Sequence, residues 1–390
     1  MEFALTEHQR DLVDAARDYS ATHLGPQYRL RDREGSLDMA TIAEMGKLGF
    51  FGVEFGEEQG GLGLDCLTAG LVTEALCAED MNIGYVTINI SLIGQILSTH
   101  GRPEVVGPWM AAMMRGEVLP AIALTEPGGG SDAANLTLRA RRDGDDYVLN
   151  GEKTSITLAT QASFAVVFAR TGPPDSRARG ISAFLVPLDS PGLSRTAFDD
   201  HGGRSVGRGS LHFDDVRVPA SHLLGDENRG FVQVMQGFDY SRALLGLLCL
   251  AVAKRSLDET WAHTTRRTSM GTPLWQHQGV SFPLAEAETQ LAGARLLCLQ
   301  TLWLKDHGLP HTAEAAMCKW WGPKLAYDIV GSCLLTHGHG AYSTTDLPFE
   351  QRLRDLLGLQ IGDGTAQIMK LVIARQKAAQ YGETQHGGTA

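Results

Sequence analysis

Cysteine is scarce: six in 390 residues (Cys66, Cys77, Cys249, Cys298, Cys318, Cys333), with no C-x-x-C pair among them. That excludes a disulfide-stapled scaffold and a zinc ribbon. The mostly apolar neighbours of these residues point to buried free thiols in a reducing compartment, the cytoplasm. Positive charge is also short, with 34 Lys+Arg against 45 Asp+Glu and a net charge of −11. A nucleic-acid binder needs a basic footprint to displace counterions, and this chain lacks one. Local arginines can still meet an anionic ligand. Long apolar runs are absent as well. The longest, Ala243 to Ala253, falls far below the roughly 20 residues of a spanning helix, so no membrane span is expected. The opening Met-Glu-Phe-Ala-Leu-Thr-Glu-His has no basic region followed by an apolar core, so no secretory signal is expected.

What remains is an ordinary globular composition, 43% hydrophobic and 20% charged. At this length two or three packed modules are expected. Apolar spacing divides the chain into three parts. Residues 1–120 read as helical, with Leu12, Ala15, Ala16 and Tyr19, then Ile42, Met45 and Leu48, three or four apart. Thr6 and Gln9 have the spacing of a capping box. Residues 121–230 read as β. Tyr147-Val148-Leu149 runs into Asn150-Gly151, a turn pair, and Phe164–Phe168 and Ile181–Val186 are short, branched and aromatic. Leu211, Phe213, Val216 and Val218 nearly alternate with polar residues, and no long helix intervenes, so antiparallel strands are expected. Residues 231–390 return to helical spacing, with blocks near Phe282–Trp303, Ala313–Cys333 and Ala366–Ala379. Gly387 to Ala390 are expected to fray.

The first chemical candidate stands where helices hand over to strands: Leu124-Thr125-Glu126-Pro127-Gly128-Gly129-Gly130-Ser131-Asp132. Its glycines let backbone N–H groups approach a ligand, and Thr125 and Ser131 add hydroxyls. On its own the segment reads equally well as a flexible connector. It is neither a Walker loop nor a Rossmann fingerprint, since no Gly-Lys-Ser/Thr follows and no βαβ unit surrounds it. His337 and His339 are spaced like a metal pair, but no third ligand clusters with them. They read as loop histidines at a subunit contact, and no metal is expected.

Six segments in order resemble the acyl-CoA dehydrogenase family. They are Glu58-Gln59-Gly60-Gly61-Leu62-Gly63; the Leu124–Asp132 loop; Asn150–Thr157; Phe238-Asp239-Tyr240-Ser241-Arg242; Arg267-Thr268-Ser269-Met270-Gly271 with His277-Gln278; and Arg354-Asp355 with Ile361–Ile368. The resemblance covers nearly the whole chain. It implies an α+β fold with an N-terminal helical domain (1–120), a central antiparallel β-domain (121–230) and a C-terminal four-helix bundle (231–390). It implies FAD as cofactor, met by Leu124, Thr125, Gly130, Ser131, Ser155, Thr157, Arg267, Ser269, Gln278, Gly340, Thr365 and Gln367. The acyl-CoA substrate would meet Ser131, Asp239, Arg242 and Gly364. Further implications are a homotetramer, with Arg267 and Gln278 reaching a neighbour's flavin, and electron-transferring flavoprotein as acceptor.

Dehydrogenating a thioester across its α,β bond needs a base for the α-proton, and the hydride acceptor is the flavin N5. The family usually places glutamate before Gly-Thr in its last signature; this chain has Asp363. The minority position for the base is occupied here by Ser241, which carries no carboxylate. Asp363 is therefore the catalytic candidate, against the plainer reading of an acid capping the helix from Thr365 to Ala379. Losing a methylene withdraws the carboxylate by roughly 1.5 Å, which suits a substrate thick at its α-carbon. The resemblance then points to cyclohexane-1-carboxyl-CoA going to the cyclohex-1-ene thioester. The alternatives are a short or branched (2-methyl) acyl-CoA and, further off, a nitroalkane-oxidase-like flavin oxidase. Two departures stand out: Ser155 replaces an aromatic residue beside the flavin, and Thr336 replaces the glutamine of a Gln-x-x-Gly-Gly element ending at Gly340.

Overall fold

The computed structural model describes residues 4–386, so the residues before Ala4 and the closing tetrapeptide expected to fray lie outside the described residues. Six helices come first: α1 (Glu7–Tyr19), α2 (Tyr28–Glu34), α3 (Met39–Lys47), α4 (Cys66–Cys77), α5 (Met81–His100) and α6 (Pro103–Met114). Eight strands follow: β1 (Pro120–Ala123), β2 (Arg139–Asp143), β3 (Asp146–Ile156), β4 (Phe164–Arg170), β5 (Ile181–Pro187), β6 (Leu193–Ala197), β7 (Gly209–Pro219) and β8 (Leu223–Leu224). Then come α7 (Gly230–Arg266), a ribbon of β9 (Thr268–Ser269) and β10 (Thr272–Pro273), α8 (Gln278–Asp306), α9 (Thr312–His337), α10 (His339–Tyr342), α11 (Phe349–Leu359) and α12 (Ala366–His386). The fold is α+β in the order helices, sheet, helices, as the spacing predicts. By contacts the chain forms two units. One holds residues up to Leu30, Cys66–Tyr85 and the chain from Arg242 on; the other holds Arg31–Asp65 and Val86–Ser241.

The second unit is built on the sheet, ordered β6-β7-β3-β2-β4-β5-β8 with β1 on β4. Phe164 to Arg170 and Ile181 to Val186 are buried at every position, which is why they read as continuous apolar runs rather than alternating ones. Two expectations are corrected here. Asn150-Gly151 does not turn, because β3 runs through it, paired with β7 on one side and with β2 up to Asn150 on the other. The turn lies earlier at Gly144 (φ 63°), and Gly151 (φ 135°) marks a register shift instead. A turn pair is read as a turn only where no neighbouring strand claims its backbone, and here two do. The sheet is also not wholly antiparallel. β1 runs parallel to β4, and β2 makes one parallel pairing with it. The long excursion through β2 and β3 gives the chain room for a parallel return.

The first unit is helical. Thr6 and Gln9 form the expected capping box on α1. α9 packs against α8, α11 and α12. It also crosses α7 closely: a Cβ on Gly322 would lie 3.0 Å from the Gly246 Cα, so only glycines allow this approach. All six cysteines are free and buried, as expected. No helix is long and apolar enough to cross a membrane among the described residues. His337 is corrected from a loop residue. It is the last residue of α9, and its ring stacks on His263 at 4.2 Å and meets Phe349 in a tilted contact at 4.6 Å. That burial, with His263 beside it, holds His337 down at about 4. Among the described residues no group of three His, Cys, Asp or Glu could hold a metal ion.

Arg352 on α11 is 3% exposed and forks onto Glu259 of α7 at 2.6 and 3.2 Å, with Ser256 accepting a third bond at 3.1 Å. Arg352→Met takes the bidentate partner from Glu259, which is 25% exposed and keeps Arg255 at 3.0 Å. We expect a loss of about 2 kcal/mol in urea unfolding, since the buried guanidinium bonds to Glu259 and Ser256 are lost while Arg255 still compensates the carboxylate. A change below about 1 kcal/mol would show that water reaches and solvates Glu259.

Candidate active site

The sequence-derived residues fall into three constellations, one around the glycine loop of the second unit and two in the first. In the second unit, β1 delivers Leu124 into a loop whose base is buried and whose tip is exposed: Leu124 and Glu126 are buried, whereas Pro127 to Asp132 are open. A turn from Glu126 to Gly129 starts the loop, with Gly129 N–H donating to Glu126 O at 3.0 Å. The loop is sewn to β3 by Thr154 N–H, which donates to Thr125 O at 2.9 Å. Lys153, fully buried, donates to Leu124 O at 2.9 Å and to Glu126 Oε1 at 2.8 Å. A Cβ built on Gly128 or Gly129 meets nothing within 4 Å, and one on Gly130 meets only Thr125. Gly129 N–H is committed to the turn, and the open space around the three glycines lets a ligand come close to the loop backbone, with the hydroxyls of Thr125 and Ser131 alongside. This donor set suits the many acceptor atoms of FAD.

Further along β3, Ser155 is exposed at φ 61° where the register with β7 shifts, and Thr157 follows directly after the strand. A non-glycine residue at positive φ is uncommon, and such a bulge re-aims the chain at the end of the strand. In the same unit Asp239 is half-buried on α7, next to Tyr240, whose hydroxyl donates to Glu54 at 2.8 Å.

In the first unit, Asp363 lies between α11 and α12 with φ 53°, followed by Gly364 at φ 103°. It is not the cap of α12. That place belongs to Thr365, whose Oγ1 accepts from Ile368 N–H at 3.4 Å and whose carbonyl accepts from Met369 N–H at 2.9 Å. The plainer reading of Asp363 thus fails. Two cations attend it. Arg242, 6% exposed on α7, makes a long 3.5 Å bond from Nε to the Asp363 carbonyl. Lys319, 1% exposed on α9, donates to Leu359 O at 2.7 Å and Gly364 O at 3.3 Å. Burial pushes the Asp363 carboxyl above the ordinary carboxylate range, and the charges of Lys319 and then Arg242 pull it part of the way back. Burial in turn lowers Lys319, and Asp363 opposes that. The group is thus poised to exchange a proton rather than locked in a bidentate pair.

Arg267, Ser269 and Gln278 form a constellation of their own, all exposed, around the β9–β10 ribbon. Its turn is Met270-Gly271 with φ 52° and 83°, and Met270 is 95% exposed. Thr336 sits inside α9 with its hydroxyl on Ser332 O, and Gly340 lies in α10. Gln367 is exposed on the first turn of α12. Asp355, quoted for its motif, is structural: it accepts from the Tyr28 hydroxyl at 2.6 Å and from Asn82 at 3.0 Å. Sequence reasoning missed the roles of Lys319, Lys153, Glu126 and Tyr240. A lysine at an inward position of an apolar helix or strand was the available signal for the first two.

Family models place these observations. The chain matches the acyl-CoA dehydrogenase N-terminal domain over residues 6–117, the middle domain over 121–216 and the C-terminal domain over 228–378. It is 35% identical to a probable acyl-CoA dehydrogenase, YngJ, of Bacillus subtilis, covering 96% of this chain and 99% of that one. It is 35% identical to the human mitochondrial short-chain specific acyl-CoA dehydrogenase, covering 97% and 92%. Butyryl-CoA dehydrogenase from Megasphaera elsdenii superposes with a TM-score of 0.93 at 30% identity, covering 97% of this chain and 100% of that one. The chain belongs to the acyl-CoA dehydrogenase family. It is an FAD-dependent oxidoreductase.

Proposed function

We propose that the chain dehydrogenates a short acyl-CoA thioester substituted at its α-carbon, with cyclohexane-1-carboxyl-CoA as the specific substrate and the cyclohex-1-ene thioester as product. The observation that carries the reading is Asp363: a carboxylate with no capping duty, desolvated, and one methylene shorter than the glutamate of the family pattern. FAD, when bound, supplies the hydride acceptor. Asp363 takes the α-proton as base, and its raised affinity for protons suits it to that transfer. Arg242, held beside the base segment, and Asp239 are assigned to the CoA thioester. Thr125, Ser131 and Thr157 supply hydroxyls toward the flavin, and Arg267 offers a forked cation suited to phosphate oxygens. Ser155, Gly130 and Leu124 complete the flavin side; Ser269, Gln278, Gly340, Thr365 and Gln367 are assigned to it as well, and Gly364 to the substrate.

Short-chain relatives support a second reading, a linear or 2-methyl short acyl group, with the same base. A nitroalkane-oxidase-like activity is disfavoured by the retained Asp239 and Arg242. Electron-transferring flavoprotein is assigned as the electron acceptor, in the cytoplasm. The exposed ribbon bearing Arg267 and Met270 fits a homotetramer in which a second copy completes the flavin site. The deciding experiment is anaerobic flavin bleaching against cyclic, 2-methyl and linear acyl-CoA esters. Cyclohexanecarboxyl-CoA is expected to bleach at least tenfold faster than butyryl-CoA. Faster bleaching by butyryl-CoA overturns the ring assignment and leaves the linear reading.

A further inference from the structure

The loop that starts at Glu126 returns to the sheet at Thr137 and Leu138, and one carboxylate closes it. Glu126 Oε2 accepts from Thr137 N–H at 2.5 Å and from the Thr137 hydroxyl at 2.7 Å; Oε1 accepts from Leu138 N–H at 2.8 Å and from Lys153 Nζ at 2.8 Å. The same ammonium donates to Leu124 O, one residue before the loop's threonine. Arg170, 7% exposed, braces the returning arm by donating to Leu136 O at 2.9 Å and Ala134 O at 3.0 Å. Both ends of an exposed, glycine-tipped segment are thus tied to one buried ion pair. Side-chain exposure in that pair is 0% for Lys153 and 6% for Glu126. The tip itself, from Gly128 to Ser131, is exposed, and Cβ atoms built on Gly128 and Gly129 meet nothing. Beyond the Glu126–Gly129 turn and the exposed Arg177–Asp132 pair at 2.8 Å, the tip's curvature is set from the base.

We propose that Lys153 and Glu126 are positioning residues for FAD: the buried pair clasps the loop so that its N–H groups stand preorganised before the cofactor arrives. An apolar pair of similar volume would fill the space with less desolvation cost, so the pair is hard to explain as a stability device. It is well explained as a directional one, because the ammonium engages the Leu124 carbonyl on the outgoing arm and the carboxylate engages the Thr137 and Leu138 amides on the returning one. Burial draws Lys153 down to about 8, with Glu126 holding it up, so the clasp is charged at neutral pH and weakens in alkali.

The proposal rests on the reading that the glycine loop holds the flavin. The test therefore carries a reference variant, Gly128→Val, which adds bulk at the tip where backbone and neighbours permit it. FAD is stripped from the full-length protein and rebound, and the dissociation constant is read by quenching of flavin fluorescence well below the melting temperature. Lys153→Met is expected to raise that constant at least tenfold. The double variant Lys153→Met, Glu126→Gln leaves no unpaired buried charge. It should melt no lower than Lys153→Met and still bind FAD at least tenfold more weakly, with altered vibronic structure in the bound flavin's visible band. A purely structural role predicts the opposite: affinity recovering together with the melting temperature. The proposal is overturned if the double variant binds FAD within threefold of wild type, or if it fails to fold. If Gly128→Val leaves affinity unchanged, the loop assignment itself falls. If Gly128→Val weakens binding and the double variant does not, only the clasp falls.

Discussion

Asp363→Ala is expected to keep FAD and lose flavin bleaching by acyl-CoA, with the rate of reduction falling by about three orders of magnitude, as for removal of a well-placed general base. The variant should stay within about 1 kcal/mol of wild type, because losing a desolvated carboxylate offsets the cost of alanine at φ 53°. The native carboxyl binds its proton more tightly than an exposed aspartate because burial raises it. Between the ordinary carboxylate value and that raised value, the folded state holds more protons than the unfolded one, so stability falls as pH rises through this window. At neutral pH an ionised Asp363 therefore opposes folding, and alanine removes that opposition. A variant that binds FAD, melts near the wild-type temperature and still bleaches at a tenth of the wild-type rate or faster would remove Asp363 from the mechanism.

Asp363→Glu sharpens the substrate question. Two physical accounts exist for aspartate at this place. One is reach: a shorter arm leaves room for a ring at the α-carbon. The other is backbone, because Asp363 has φ 53° and aspartate enters the left-handed region more readily than glutamate. Reach predicts that the glutamate variant moves the preference toward butyryl-CoA by at least tenfold with little change in melting. Backbone preference predicts a loss of about 1 kcal/mol in stability with the substrate order unchanged.

The sheet strands, the three-part order and the α1 cap were legible because each is written in local spacing that burial then obeys. β4, and β5 as far as Val186, are buried at every position and were plain as apolar runs. Asn150-Gly151 misled because turn chemistry is a local preference, while pairing with β2 and β7 is decided by residues far along the chain. Asp363, the proposed base, was singled out for a different reason, its place in a recognisable signature. What surrounds it was not: Lys319 stands 44 residues earlier, in α9. Its partners are backbone carbonyls, which no side-chain pattern announces. Lys153 likewise acts through Leu124 O and Glu126, so its importance appears only once the loop is folded over it.

Lys319→Met is expected to slow flavin reduction on the acid side of its pH profile and to recover most of that loss in alkali, since the lost ammonium no longer draws Asp363 toward ionisation. Lys319 does two things at once. Its bonds to Leu359 O and Gly364 O hold the segment on either side of the base, and its charge is the larger of the two that draw Asp363 back toward ionisation. These contributions separate along the pH axis. Removing the charge moves the acid limb of the rate profile to higher pH, because Asp363 must be ionised to accept the α-proton and the unopposed burial now holds its proton longer. At high pH the carboxylate forms in either protein, and the two rates converge. Removing the carbonyl bonds lets the segment shift, and misplacement of the base slows the reaction equally at every pH. A pH-independent loss would therefore reduce Lys319 to a brace. A shifted limb with a shared plateau makes it the group that keeps a desolvated aspartate ready as a base, against the upward pull of burial.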